Sequence, residues 1–162
     1  MAKDDVTNNK ITSFALPEES NWALDVRSKA LEWIDQNGLP NGREEYWKYT
    51  NPNSFNSTRK PVKNEIDPSD TKPIFNDIDC IKLVFIDGLL NIDQSDGLIN
   101  AGLEIEPITE ANGNENHWSK HCFGAIEEAS QKVVSKTLAS LNTAFAVQGL
   151  TIRITDKVSK PI

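Results

Sequence analysis

Apolar side chains recur at every third or fourth position near the C-terminal end of the sequence, and this pattern constrains the fold more than any other feature. Such spacing places the side chains on one face of an α-helix, and that face must pack against another element. We therefore predict a long amphipathic helix that begins near Asn116 and is capped by Gly149. The residues of the predicted stripe are Ile126, Ala129, Val133, Val134, Thr137, Leu138, Leu141 and Phe145.

A second helical pattern lies near the N-terminus and extends from about Pro17 to Gln36. Its apolar residues again fall on one stripe, which predicts a helix with one buried face. Asn37 and Gly38 follow, and Pro40 comes shortly after them, which is the usual chemistry of a helix C-terminus. The residues of this stripe are Trp22, Val26, Ala30, Trp33 and Ile34.

Between the two helices the pattern is typical of short β-strands. The apolar run Leu83–Ile86 precedes Asp87 and Gly88, a strong signal for a hairpin turn, and residues 89–92 can return as the second strand. Apolar and acidic side chains alternate over residues 103–106, as they do in a half-buried strand. We predict a small hairpin or sheet in this part of the chain.

A final strand is predicted over residues 150–155, where Ile152 and Ile154 alternate with polar residues and fall on one face. The sequence ends at Ile162, so we expect one edge and one apolar face of this strand to lack partners.

The predicted elements divide the chain into four consecutive regions and give an α+β fold. Residues 1–17 are a flexible lead-in, and residues 18–50 form an N-terminal helical region. Residues 51–79 are a polar, proline-rich linker, because each proline biases the preceding residue away from the helical conformation. Residues 80–162 form an α/β region that contains the hairpin, the long amphipathic helix and the final strand.

Composition excludes several classes of protein. The 162 residues suit one domain, and the net charge of −7 argues against a nucleic-acid-binding face. No apolar run approaches the length of about 20 residues that spans a bilayer, and the N-terminus lacks a secretory signal. The two cysteines, Cys80 and Cys122, do not make a disulfide framework, so we expect a cytoplasmic protein.

The tetrapeptide Trp47-Lys48-Tyr49-Thr50 places two large aromatic rings two residues apart. We interpret Trp47 and Tyr49 as packing residues that dock this segment onto the helix carrying Trp22, with Lys48 facing water. The alternative is a platform on which a ligand stacks, but such platforms usually come with a basic or polar groove.

A second candidate site lies in the segment His117-Trp118-Ser119-Lys120-His121-Cys122. His117 and His121 are four residues apart and would share one face of an α-helix, with Cys122 adjacent. Zinc takes at least three protein ligands, and Trp118 replaces the glutamate of the zinc-protease motif, so the match is poor. The other interpretation is an exposed helical start with a buried Trp118 and a partly buried Cys122.

Other catalytic and cofactor motifs are missing from the sequence. The chain has no phosphate-binding loop, no dinucleotide fingerprint and no nucleophile elbow. An iron–sulfur cluster usually takes four cysteine thiolates, and this chain has two. We therefore expect no catalytic residue and no bound cofactor in the chain, and we expect that it is not an enzyme.

Three motifs, in this order and at this spacing, resemble the N-terminal part of the SufD family, whose members are scaffold subunits of the SUF machinery for iron–sulfur cluster assembly. They are the Trp47–Thr50 tetrapeptide, the run from Val84 to Gly88, and Leu141-Asn142-Thr143-Ala144-Phe145. The resemblance covers roughly residues 20–162. Residues Asn142, Thr143 and Phe145 are then structural motif positions, like those of the tetrapeptide.

The resemblance implies a fold, a function and partners. SufD-type proteins have a helical N-terminal region, a right-handed parallel β-helix and a C-terminal helical region, so the strand at residues 150–155 would be the first strand of a truncated β-helix. They pair with a SufB-like paralogue in the SufBCD complex and bind a SufC-like ATPase, and the cluster and ATP belong to that assembly. Those contacts would lie mostly outside this chain. The alternative is a free-standing metal-binding or hydrolytic domain that uses His117 and His121.

Overall fold

The computed structural model describes residues 18–40, 47–52, 74–100, 102–125 and 136–162. These residues form helices and small antiparallel sheets, so the predicted α+β class is confirmed at that level. In the described part of the chain, no helix is long and apolar enough to cross a membrane. The helices are α1 (Asn21–Asn37), α2 (Ile108–Gly113) and α3 (Thr137–Phe145), with a 3-10 helix at Trp118–His121, and the strands are β1 (Phe85–Ile86), β2 (Leu89–Leu90), β3 (Ile99–Asn100), β4 (Leu103–Pro107) and β5 (Leu150–Ile154).

Some predictions concern residues outside these ranges. They are the lead-in at residues 1–17, most of the linker at residues 51–79, and the part of the predicted helical stripe between residues 126 and 135.

The chain divides into two units, each made from two separate stretches. The first unit combines residues 1–60 with residues 112–147, and the second combines residues 61–111 with residues 148–162. The sequence predicted consecutive regions, whereas the two units alternate along the chain.

The core of the first unit lies between α1 and α3. Ala30 and Ile34 of α1 and Ala144 of α3 are buried together, and Leu141 and Phe145 pack against them. The predicted stripe residues Leu141 and Phe145 therefore face the core, although both remain half-buried.

Helix α1 ends as the sequence predicts, but its buried face is rotated relative to the predicted one. Gly38 has a φ of +73° and donates its backbone N–H to the carbonyl of Ile34, which ends the helix. Trp33 was predicted to face the core and is exposed, which corrects the predicted stripe. The buried residues of α1 are Ala23, Arg27, Ala30 and Ile34.

The prediction of one long helix from Asn116 is wrong. Gly124 has a φ of +74°, a left-handed conformation that an α-helix does not contain, so no continuous helix can pass through it. Helix α3 begins at Thr137 and ends at Phe145, where the N–H of Ala146 bonds to the carbonyl of Asn142. Gly149 is therefore not the helix cap and instead directly precedes β5.

The second unit contains the predicted hairpin and a three-stranded sheet. Asp87 and Gly88 have φ values of +51° and +82°, the geometry of the tight turn that joins twisted antiparallel strands. Strands β1 and β2 pair across this turn, so the hairpin is confirmed, with shorter strands than expected.

The sheet has the order β3-β4-β5, and both pairs are antiparallel. In the longer pair, Leu103 lies opposite Ile154 and Ile105 opposite Ile152. The predicted strands at residues 103–106 and 150–155 are therefore confirmed, whereas the sequence pattern did not predict β3. The core of this unit consists of Ile81, Leu103 and Ile105, with Leu83, Leu98, Leu150 and Val158 packed against it.

Candidate functional site: a buried polar cluster in the first unit

A buried ion pair lies at the centre of the first unit. Arg27 of α1 bonds to both carboxylate oxygens of Glu19, with Nε to Oε2 at 2.6 Å and Nη2 to Oε1 at 2.7 Å. The two side chains are only 1% and 0% exposed. Such a two-point contact is the strongest geometry for an arginine and a carboxylate, and it compensates two charges that water does not reach.

The same guanidinium binds the C-terminal end of α3. Its Nη1 donates to the carbonyls of Thr143 at 2.8 Å and Ala144 at 3.0 Å, and its Nη2 donates to the carbonyl of Ala146 at 2.7 Å. Carbonyls in the last turn of a helix lack partners within the helix, and the negative end of the helix dipole lies there. A cation at this position donates hydrogen bonds to these carbonyls and is attracted by the negative end of the dipole.

Two further residues surround this pair. Asn112, which is fully buried, donates from Nδ2 to Oε1 of Glu19 at 3.2 Å. The Arg27 guanidinium carbon lies 5.4 Å from the centroid of the Phe123 ring, within range of a cation–π contact. All five N–H groups of Arg27 donate to Glu19, to carbonyls of α3 or to the carbonyl of Ala146. The cluster therefore fixes the relative positions of elements within the unit and offers no unused N–H group of Arg27 to a substrate.

The N-terminus of α1 is bound to the end of α2 and to the segment that follows it. Ser20 donates its backbone N–H to the carbonyl of Asn112 at 2.9 Å, and Asn21 donates its N–H to Oε1 of Glu115 at 2.7 Å. The indole Nε1 of Trp22 donates to the carbonyl of Asn114 at 3.0 Å. Glu115 thus supplies, from a distant part of the chain, an acceptor for a free N–H at the start of α1.

The motif that contains Asn142, Thr143 and Phe145 forms the end of α3 and lies in this cluster. Thr143 is buried, and its carbonyl is one of the groups that Arg27 binds. Phe145 packs against the core formed by α1 and α3, while the side chain of Asn142 is exposed. The contacts of Thr143 and Phe145 are structural ones.

The aromatic tetrapeptide forms a turn in which the two rings differ in exposure. Trp47 is half-buried, and its carbonyl accepts the backbone N–H of Thr50 at 3.1 Å, so the segment forms a turn. Tyr49 is 91% exposed, so its predicted docking onto α1 is wrong. The Lys48 ammonium lies 5.3 Å from the centroid of the Tyr49 ring.

His117 and His121 do not lie on an α-helix. Residues 118–121 form a 3-10 helix with three residues per turn, so positions four apart do not share a face. His117 is the N-cap of this helix, and its Nδ1 accepts the backbone N–H of Ser119 at 3.2 Å. His121 is exposed, and Cys122 is exposed rather than partly buried as predicted. Trp118 is half-buried.

Within the described residues, no group of three or more His, Cys, Asp or Glu side chains is arranged to hold a metal ion. Both cysteines, Cys80 and Cys122, are free thiols.

The sequence contained one signal for the buried cluster. Arg27 follows Ala23 by four residues and precedes Ala30 and Ile34 by three and seven, so it falls in the register of the buried face. A charged residue in that register requires a buried partner. The identities of that partner, Glu19, and of the bound carbonyls of α3 depend on contacts that the sequence pattern does not reveal.

No protein-family model and no curated protein matches this chain. Its function is therefore inferred from the sequence motifs and from the geometry of the two units.

Proposed function

We propose that this chain is the N-terminal part of a SufD-type scaffold subunit, which takes part in iron–sulfur cluster assembly in the cytoplasm without catalysing a reaction. The observation that carries the proposal is the role of the motif Leu141–Phe145. This motif forms the end of α3, and Arg27 binds its carbonyls in a cluster whose charges are fully paired. A buried ion pair that joins the residues before α1 to the end of α3 serves to hold a scaffold in shape.

The strand β5 supports the finer part of the proposal, in which it is the first strand of a right-handed parallel β-helix. It lies at the edge of its sheet, and Ile152 and Ile154 are exposed on one face. A following coil of a β-helix would supply the missing hydrogen bonds and apolar cover. In such a protein, a SufB-like paralogue and a SufC-like ATPase are the partners, and their contacts lie mostly beyond these residues.

A chimera tests this proposal. Residues 18–162 replace the corresponding region of a known SufD protein, and the chimera is co-expressed with its SufB and SufC partners. We expect it to co-purify with both partners and to support cluster assembly in cells that depend on the SUF system. The control is the same SufD protein with that region deleted. A chimera that is folded and expressed but no more active than the deletion would overturn the proposal.

The metal-binding alternative has a separate test. The untagged chain is purified, and its zinc and iron contents are measured by elemental analysis. We expect far less than one metal ion per chain, because three ligands around His117 and His121 are not evident in the sequence. One metal per chain, lost in His121→Ala, would favour the alternative. We also expect the chain alone neither to hydrolyse ATP nor to capture a SufC-like ATPase.

A further inference from the structure

Strand β5 has one edge that is paired and one that is open. The N–H of Thr155 bonds to the carbonyl of Gly102 at 2.9 Å, and the N–H of Ile108 bonds to the carbonyl of Gly149 at 3.0 Å. Along an antiparallel strand, the backbone N–H and C=O groups of successive residues point alternately to one edge and to the other. The two bonds therefore determine which residues of β5 point these groups towards β4. Residues 151 and 153 face β4, and the groups of residues 150, 152 and 154 point to the opposite edge. None of the other described strands pairs with that edge.

The apolar face of the sheet continues to this open edge, where its side chains become exposed. Leu103 and Ile105 of β4 are buried in the core of the second unit. Their cross-strand partners, Ile154 and Ile152, lie on the same face but are 69% and 40% exposed. An open edge with exposed apolar side chains favours pairing with another strand.

The positions of the outward groups and of the charges select one symmetric pairing. A two-fold axis through Ile152 places Leu150 opposite Ile154 of a second copy and Ile152 opposite itself, so all three outward-pointing residues can form hydrogen bonds. Thr151 then lies opposite Arg153, and the two arginines do not face each other. Arg153 keeps its contact with Glu104, at 3.7 Å, on the other face of the sheet. An axis through Arg153 would oppose two like charges and would offer no outward backbone groups at the centre.

We propose that two copies of this chain associate through β5, paired antiparallel about Ile152, so that two three-stranded sheets become one of six strands. The interface is self-complementary, as a two-fold dimer requires. It consists of one short strand from each copy, well below the ~1,200 Å² of a stable interface, so the dimer is weak and depends on concentration. This inference does not rest on the proposed function, although a following β-helix coil would compete for the same edge.

Proline at position 152 provides a selective test. The N–H of Ile152 points away from β4, so Ile152→Pro removes a donor from the dimer without removing a bond of the β4–β5 ladder. Sedimentation velocity over a concentration series should show a reversible dimer for the unaltered chain. The dimer dissociation constant should rise at least about tenfold in Ile152→Pro, equivalent to about 1.4 kcal/mol. Ile152→Ala is the matched control, because it shortens the side chain and keeps the donor. Ile154→Lys, at an exposed position, is a second test that introduces no proline, and it should also weaken the dimer.

Cysteine cross-linking tests the register. In a background with Cys80→Ser and Cys122→Ser, Ile152→Cys places two thiols opposite each other, with Cα atoms about 5.5 Å apart, which suits a disulfide. Arg153→Cys is the control and should cross-link much less. Circular dichroism confirms that each variant is folded.

Two results would overturn the dimer. One is a strictly monomeric chain at all concentrations, and the other is a dimer that persists in Ile152→Pro or cross-links equally at position 153. Neither result bears on the chimera experiment, so failure of the dimer and failure of the proposed function are distinguishable.

Discussion

Arg27 donates a hydrogen bond to the carbonyl of Thr143, which lies 116 residues further along the chain. The same guanidinium holds the carboxylate of Glu19, so one side chain joins the residues before α1, the middle of α1 and the end of α3. The first unit therefore has a polar centre beside its small apolar core, and we expect the stability of the unit to depend on the contacts of this centre.

Arg27→Met should strongly destabilise the first unit. The change leaves the Glu19 carboxylate buried without its cation and removes the donors to two carbonyls of α3 and to the carbonyl of Ala146. Breaking a buried pair in this way costs about 3–5 kcal/mol. Urea denaturation followed by Trp fluorescence measures the loss. Lys29→Met is the control on the same helix, because Lys29 pairs with Asp25 on the exposed surface and its loss should cost at most about 1 kcal/mol.

A double variant tests the coupling of Arg27 and Glu19. Glu19→Gln alone leaves the guanidinium without its counter-charge and should also be destabilising. The pair Arg27→Met with Glu19→Gln should cost clearly less than the sum of the two single changes, because the two side chains are in direct contact. Additive losses would show that the two residues act independently.

The two aromatic rings of the tetrapeptide should differ in their effects on stability. Tyr49 is exposed, so Tyr49→Ala should change the free energy of unfolding by less than about 0.5 kcal/mol. Trp47 is half-buried, so Trp47→Ala should cost more than that, but less than the roughly 3–5 kcal/mol of a fully buried tryptophan. A large loss in Tyr49→Ala would mean that this ring packs against the protein after all.

Gly102 should not tolerate a side chain. Its φ is +79°, and an added Cβ would lie 3.1 Å from the carbonyl oxygens of Asp156 and Lys157. The left-handed conformation and the close backbone approach together predict that Gly102→Ala costs about 1–3 kcal/mol in thermal or urea unfolding. Gly97→Ala is the matched control in the same unit, because a Cβ there meets nothing within 4 Å. Equal stability of the two variants would contradict the prediction.

The contact between Lys160 and Asp79 should be lost in strongly alkaline solution, where Lys160 gives up its charge. A hydrogen bond from Nζ to Asp79 at 2.6 Å, and then the charge of Asp79, raise the pKa of Lys160 above its ordinary value of 10.5. The contact therefore contributes fully below pH 10.5 and is lost as the pH rises through the higher folded-state pKa. An NMR titration of the Lys160 side chain measures this pKa. In Asp79→Asn the titration midpoint should fall, and an unchanged midpoint would show that the pair does not form in solution.

The sequence by itself determined the elements whose signals are local. The Asp87-Gly88 turn produced its hairpin because both positions tolerate a positive φ, and Gly38 ended α1 for the same reason. The alternating strands at β4 and β5 also formed as predicted, because a period of two directs apolar side chains to one face. Each of these outcomes depends on a few neighbouring residues.

The tertiary structure decided which side chains became buried. Trp33 and Tyr49 have aromatic side chains, which are usually buried, but both are exposed. Arg27 and Glu19 have charged side chains, which are usually exposed, but both are buried. The physical reason is that burial of a charge depends on partners that compensate it. For Arg27 these partners are a carboxylate eight residues away and carbonyls more than a hundred residues away, and only folding brings them together.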